Sequence, residues 1–231
     1  MLSKYFPLET IFIENVSLVL SPEMDTLTKI LIASAELFRQ YGFKAITMDD
    51  IARRAGISKK TLYQQFANKN EVVREAVSWH MENNFESCNR VFAEYHNPIE
   101  EMVRIVQLMD EMHRNTNPLV FMELQRYYPE SYQLFRDNLV RHDVESVRRN
   151  ILKGIAEGLY RPEVNADLLA RFYIETSLMI FQPSLLVNDR FDLKSLHPEL
   201  AEHFLYGIMT PRGEKLYRKY KEKYLKQPNT L

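Results

Sequence analysis

The sequence predicts an all-α protein, and three observations carry that reading. Glycine, which a helix interior tolerates poorly, occurs only six times in 231 residues. Apolar residues recur at three-to-four spacing along most of the chain. The breaks between these runs carry capping side chains, glycine or proline. No segment of useful length alternates as a strand would; the nearest approach is Thr10 to Leu20.

The first helix is expected from about Asp25 to Tyr41, where Leu27, Ile30, Leu31, Ser34, Leu37, Phe38 and Tyr41 fall at helical spacing and Gly42 stops the run. Thr47, with Asp50 three positions on, opens a short second helix whose Ile51, Ala52 and Ala55 face inward until Gly56. Ser58 caps a third, which buries Leu62 and Phe66. Asn68 to Glu71 reads as a further capping box, opening a long helix to about Tyr95. Asn97-Pro98 starts a helix to about Arg114, with proline at its favoured first position. Asn117-Pro118 starts a shorter one, and Pro129 a long one to about Glu157. After Gly158 and Pro162, a strong apolar run covers Val164 to Gln182 and ends at Pro183. A loop to about Leu193 precedes a helix from Ser195 to Met209, and Thr210-Pro211 opens a final charged helix.

Composition narrows the function classes. Hydrophobic residues make up 45% and charged residues 26%, the balance of a soluble globular chain with ample core material. The formal net charge of -1 conceals an asymmetry. From Met24 to Lys69 eight Lys and Arg stand against four Asp and Glu, so that segment carries +4 and the rest -5. A basic head on an acidic body suits contact with a polyanion through one part only. The single cysteine, Cys88, excludes an internal disulfide and fits a reducing, cytoplasmic setting. His80 would lie about 12 Å from it along a helix, too far to share a metal, so Cys88 reads as a small core residue. No run of eighteen apolar residues suggests a membrane span. Ile11 to Leu20 is interrupted by Glu14 and Asn15 and is a poor secretion signal. Residues 1–23 are therefore expected to be an arm, either dispensable or upstream of the true start at Met24.

Between Thr47 and Phe66 the pattern is that of a helix-turn-helix. Two short helices meet at Ala55-Gly56-Ile57, where glycine permits a tight turn, and small Ala52 sits where the helices must approach. The second helix offers Ser58, Lys59, Lys60, Thr61, Tyr63 and Gln64, donors and short hydroxyls suited to phosphate oxygens and base edges. A major groove about 12 Å wide accepts such a helix. A solvated lysine face and a mere loop glycine would explain either feature alone, but fit the ordered set poorly.

The stretches ILIASAELFRQYGF (30–43), TMDDIARRAGISKKTLYQQF (47–66) and NKNE (68–71) resemble the TetR family of bacterial transcriptional regulators. The resemblance implies an N-terminal three-helix DNA-binding head (residues 24–70) and a C-terminal helical ligand-binding and dimerisation bundle (71–231). It implies DNA contacts by Thr47 at a phosphate, by Ser58, Lys59, Lys60, Thr61, Tyr63 and Gln64 on the recognition helix, and by Lys69 at a phosphate, with the Tyr63 hydroxyl reaching the backbone. Family members often have glycine where Lys60 stands here, which makes an operator inferred from relatives unsafe. Leu37, Phe38, Phe43, Ile51, Leu62 and Phe66 would form the small core of the head.

Within the body, nine aromatic residues and five methionines lie between Trp79 and Phe135, among them Trp79, Met81, Phe85, Met102, Met109, Met112, Phe121, Met122, Tyr127 and Tyr128. Such side chains can line an adaptable apolar cavity, although ordinary packing explains each one singly. Arg104, Glu123, Arg126 and His113 could orient a ligand or simply sit on polar helix faces. No spacing suggests a catalytic constellation, and neither cofactor nor metal is expected. Leu168, Leu169, Phe172, Tyr173, Thr176, Met179 and Ile180, with Leu200, Phe204, Gly207 and Ile208, form apolar stripes that the resemblance assigns to a two-fold contact between copies.

The expected protein is thus a homodimeric, ligand-responsive transcriptional regulator, a repressor released from a palindromic double-stranded DNA operator by a partly apolar small-molecule inducer, with no membrane partner. An activator of the same fold is the alternative, and an all-helical enzyme or small-molecule carrier the more distant one. Because residues 1–23 fall outside the head's pattern, a chain starting at Met24 should unfold cooperatively and bind DNA as the full chain does; loss of cooperative thermal unfolding in that truncation would make the arm part of the core.

Overall fold

The computed structural model describes residues 24–114, 116–179 and 193–225; the arm, the strand candidate at Thr10 to Leu20 and the expected loop after Gln182 lie outside these. The described chain is built from helices: α1 Thr26–Tyr41, α2 Met48–Ala55, α3 Lys59–Gln65, α4 Lys69–Glu94, α5 Pro98–Arg114, α6 Val120–Tyr127, α7 Pro129–Asn138, α8 Glu145–Ala156, α9 Ala166–Leu178, α10 Leu193–Ile208 and α11 Pro211–Tyr224. Between α7 and α8 the path stays helical but widens to a π-helix over Leu139–Val144. The expected single helix from Pro129 to Glu157 is therefore three consecutive helical segments, the middle one π.

Local chemistry sets the helix starts. Asp25, Thr47, Ser58, Asn165 and Thr210 each take extended backbone and accept a hydrogen bond from an amide of the first turn. At α4, Asn68 Oδ1 accepts the Glu71 N–H at 3.1 Å, while Glu71 reaches back to the Ala67 N–H at 2.8 Å rather than to Asn68. The box expected there thus forms one residue wider than its usual pattern.

Packing divides the described residues into two units: 24–84 with 116–135, and 85–114 with 136–179 and 193–225. In the first, Ile30, Phe38, Phe43, Ile51, Leu62, Phe66, Val72 and Val73 are buried. Leu37, expected in that core, is only half-buried; Ile46 and Met48 supply the missing apolar volume. Helix α6, and α7 as far as Phe135, belong to this unit although they follow α1 by many residues. The Asn117 N–H donates to the Arg39 carbonyl at 2.7 Å, and the Phe43 ring lies 4.8 Å from Phe38 and 5.6 Å from Tyr128.

The second unit buries Ile99, Met102, Val103, Val147, Ile151, Tyr173, Phe204 and Leu205 in one apolar cluster. Its polar centre is a closed network. Asn150 donates to the Pro98 carbonyl at 2.9 Å and to Glu101 Oε2 at 2.7 Å, and Lys153 meets Glu101 Oε1 at 2.5 Å. The Tyr160 hydroxyl, held between the Pro98 carbonyl and Asn150 Oδ1, completes it and ties the turn after α8 to the start of α5. Glu101 is almost fully buried, so removal of a donor leaves a desolvated acceptor behind. Asn150→Ala should therefore cost about 2–3 kcal/mol in urea unfolding with an unchanged m value; a loss within error of zero would show that the network does not support the fold.

Candidate nucleic-acid interface

Two helices and the tight turn between them make the site. Thr47 caps α2 in a full capping box: its Oγ1 accepts the Asp50 N–H at 3.2 Å while Asp50 Oδ2 accepts the Thr47 N–H at 3.0 Å. The Thr47 hydroxyl and amide hold the Asp50 carboxyl below its usual range, so it stays ionised at the positive end of α2. Gly56 ends α2 at φ 67°, ψ 32°, and Ile57 N–H returns to the Ala52 carbonyl at 3.0 Å. A Cβ on Gly56 would meet nothing within 4 Å. Left-handed backbone, not crowding, selects glycine here, since another residue would give up about 1–2 kcal/mol. Buried Ala52 lies beneath the turn as its small size requires.

Ser58 then caps α3, accepting the Thr61 N–H at 3.0 Å, with the two hydroxyls 2.8 Å apart. Leu62 and Phe66 are buried, which turns the opposite side of α3 outward. Lys59, Lys60, Tyr63 and Gln64 are all exposed, and Tyr63 keeps 51% of its surface in solvent despite its ring. Lys59 forms an ion pair with Asp49 of α2. Both partners are exposed, so the pair is weak and readily exchanged for a phosphate. Thr47 is exposed at the start of α2.

Seven of the eight expected contact residues thus lie on α3, its cap or the cap of α2. Lys69 differs. Its ammonium turns inward, donates to the Phe43 carbonyl, and sits 6.0 Å from the centre of the Phe38 ring. Burial lowers its pKa, with Glu123 and Asp50 pulling the other way. An exposed cation that the sequence did not single out is Arg53, on α2 and 3.3 Å from Asp50; its place one turn before Gly56, beside buried Ala52, was the available signal.

The sequence profile of the bacterial regulatory proteins of the tetR family matches residues 30–76. Over those residues the chain has the sequence pattern of that family. The HTH-type transcriptional repressor KstR2 of Mycobacterium tuberculosis is 26% identical over 147 residues, covering 62% of this chain and 74% of that protein. In fold the chain is similar to the Bacillus subtilis regulator FadR in complex with stearoyl-CoA, at TM-score 0.62 and 18% identity, over 79% of this chain and 97% of that one. It is also similar to a regulator from Saccharomonospora viridis in complex with choline, at TM-score 0.64 and 19% identity, over 79% and 97%.

Of the side chains considered for ligand orientation, Arg104, Arg126 and Glu123 have partners within the chain. Arg104 donates to Gln107 at 2.6 Å and lies over the rings of Tyr95 and Tyr224. Arg126 is exposed over Tyr127, and Glu123 binds the turn after α1. The His113 side chain lies outside the described residues. The aromatic and methionine set divides between the units: Trp79, Met81, Phe121, Met122, Tyr127 and Tyr128 belong to the first, and Phe85, Met102, Met109 and Met112 to the second. Cys88 is buried as expected, its thiol pushed up to about 12 by burial and by Asp143 on the π-helical turn. Among the described residues no helix is long and apolar enough to cross a membrane.

The apolar stripes of α9 and α10 correct an expectation. Tyr173, Phe204 and Ile208 face inward, with the Tyr173 and Phe204 rings 4.8 Å apart, because both helices turn one side to their own unit's core. Leu168, Phe172 and Met179 form a separate outward row on α9, and Tyr206 and Gly207 are exposed on α10. Leu169, Thr176 and Leu200 are half-buried between these faces, while Ile180 lies outside the described residues.

Proposed function

We propose that the chain is a homodimeric TetR-type repressor that binds a palindromic operator and is released by a small-molecule inducer. The observation that carries the reading is α3, a short helix anchored by Leu62 and Phe66 that presents Lys59, Lys60, Tyr63 and Gln64 to solvent immediately after a glycine turn. Lys59, Lys60 and Gln64 have the groups to read base edges, and Thr47, Ser58, Thr61, Tyr63 and Lys69 those to hold phosphates. In this division residues 24–70 meet DNA, and 71–231 bind the inducer and the second copy. KstR2 supports the repressor sign. The choline and stearoyl-CoA complexes of proteins with this fold support an inducer with an apolar part.

One α3 covers only a few base pairs, whereas two held about one helical turn of DNA apart read a palindrome. The outward row on α9, with Leu168 65% and Phe172 55% exposed, supplies an apolar face for that pairing. An inducer that favours one spacing of the two heads then lowers operator affinity, and operator lowers inducer affinity by the same factor.

Selection of bound duplexes from a random pool should enrich a palindrome; recovery of no specific duplex would remove the reading. On that operator, alanine at whichever of Lys59, Lys60 or Gln64 reads a base should lose about 1–3 kcal/mol at one position and relax preference there. An unchanged binding logo in all three variants would exclude them as base readers. Leu168→Glu with Phe172→Glu should yield folded monomers with much weaker operator binding, because charges enter the apolar contact without touching the unit's own core. A variant that sediments as a dimer with unchanged affinity would place the interface elsewhere.

A further inference from the structure

The peptide joining Phe43 to Lys44 is gripped at both ends. The Lys69 ammonium donates to its carbonyl, and Glu123 Oε2 of α6 accepts its N–H at 2.9 Å. Cation on the oxygen and anion on the N–H each deepen the peptide dipole that the other uses, so the two contacts strengthen one another. The seat for the carboxylate is made by an absent side chain: a Cβ on Gly42 would fall 2.6 Å from Glu123 Oε2, and Gly42 has φ 81°. Helix α6 is itself fixed to the end of α1 by the Asn117 N–H on the Arg39 carbonyl and by Tyr128 against Phe43.

The geometry points to Glu123 as a charge brake on DNA binding, holding Lys69 on the Phe43 carbonyl and away from phosphate. This rests on the proposed phosphate role of Lys69. Glu123 is a positioning residue: it acts on DNA only through the lysine and the shared peptide. Of the acids acting on the Lys69 ammonium, Glu123 is the stronger and Asp50 the weaker. A phosphate that recruits Lys69 therefore competes with a carboxylate carried on α6, and any displacement of α6 changes the terms of that competition.

Glu123→Gln separates charge from shape, since the amide oxygen still accepts the Lys44 N–H in the same volume. Two measurements test the brake. In competitive acetylation of the folded chain by acetic anhydride, read by mass spectrometry, Lys69 should be protected relative to Lys60 and become severalfold more reactive in Glu123→Gln. In salt titrations on the duplex selected from the random pool, Glu123→Gln should bind more tightly at low salt, with a log–log slope steeper by about 1. Both changes in DNA binding should vanish in a Lys69→Met background. An unaltered Lys69 reactivity, a wild-type slope, weaker binding, or the same shift in the Lys69→Met background would each overturn the proposal. If Lys69 gains reactivity but the wild-type chain binds no duplex, the brake stands as a contact and the DNA-binding reading fails instead.

Discussion

Burial of Phe43 between Phe38 and Tyr128 is the constraint on which the first unit depends. Phe43 lies on the turn between α1 and α2, so its ring sets where α2 begins while its backbone carbonyl receives Lys69. Once α2 is placed, Gly56 and the Ala52 contact leave α3 little freedom, and burial of Leu62 and Phe66 decides which side of α3 faces solvent. Each large apolar group in so small a core contributes roughly 1.5–3 kcal/mol, a sizeable share of a marginal total. The surface ion pairs, Lys59 with Asp49 and Arg53 with Asp50, add little beside this. Such weakness suits the proposed contact with a polyanion, because cations held loosely by carboxylates are easily transferred to phosphates.

The parts of the molecule legible in the sequence were those governed by neighbours along the chain. Thr47 with Asp50, Ser58 with Thr61 and Gly56 with Ala52 act over three or four residues, and the helix starts and the turn came out where these signals stand. The outward face of α3 followed from Leu62 and Phe66 alone.

What escaped the sequence depends on distant partners. The inward turn of Lys69 needs the Phe43 carbonyl and a carboxylate from Glu123, and the Glu123 contact to Lys44 spans 79 residues. A lysine after an N-cap reads as a solvated cation, since its long stem can lie either way. The division of the α9 stripe was hidden for another reason. Period alone cannot tell one broad apolar face from two adjoining ones, and only the packing of Tyr173 on Phe204 shows that Phe172 points away from that core. Widening of the helix over Leu139–Val144 left no mark in composition, as π geometry adds a residue to a turn without needing glycine or proline.

The same distant contacts bear on the switching proposed above. The chain leaves the first unit after Asn84, returns for 116–135 and leaves again, so α6 and α7 are a covalent excursion into the unit that carries α3. Among the described contacts, two backbone-directed hydrogen bonds, from Asn117 and to Glu123, and an aromatic contact tie the excursion to the end of α1 and the turn after it, and Val120 and Leu124 of α6 are buried as well. At about 0.5–1.5 kcal/mol for each bond and a similar amount for the rings, these three contacts contribute about 1.5–4.5 kcal/mol before the burial of Val120 and Leu124 is added. Coupling energies between effector and target sites run about 1–3 kcal/mol. The charged member of the seam, Glu123, is placed on the peptide that Lys69 also holds, so a movement of α6 would reach Lys69 through a single shared group.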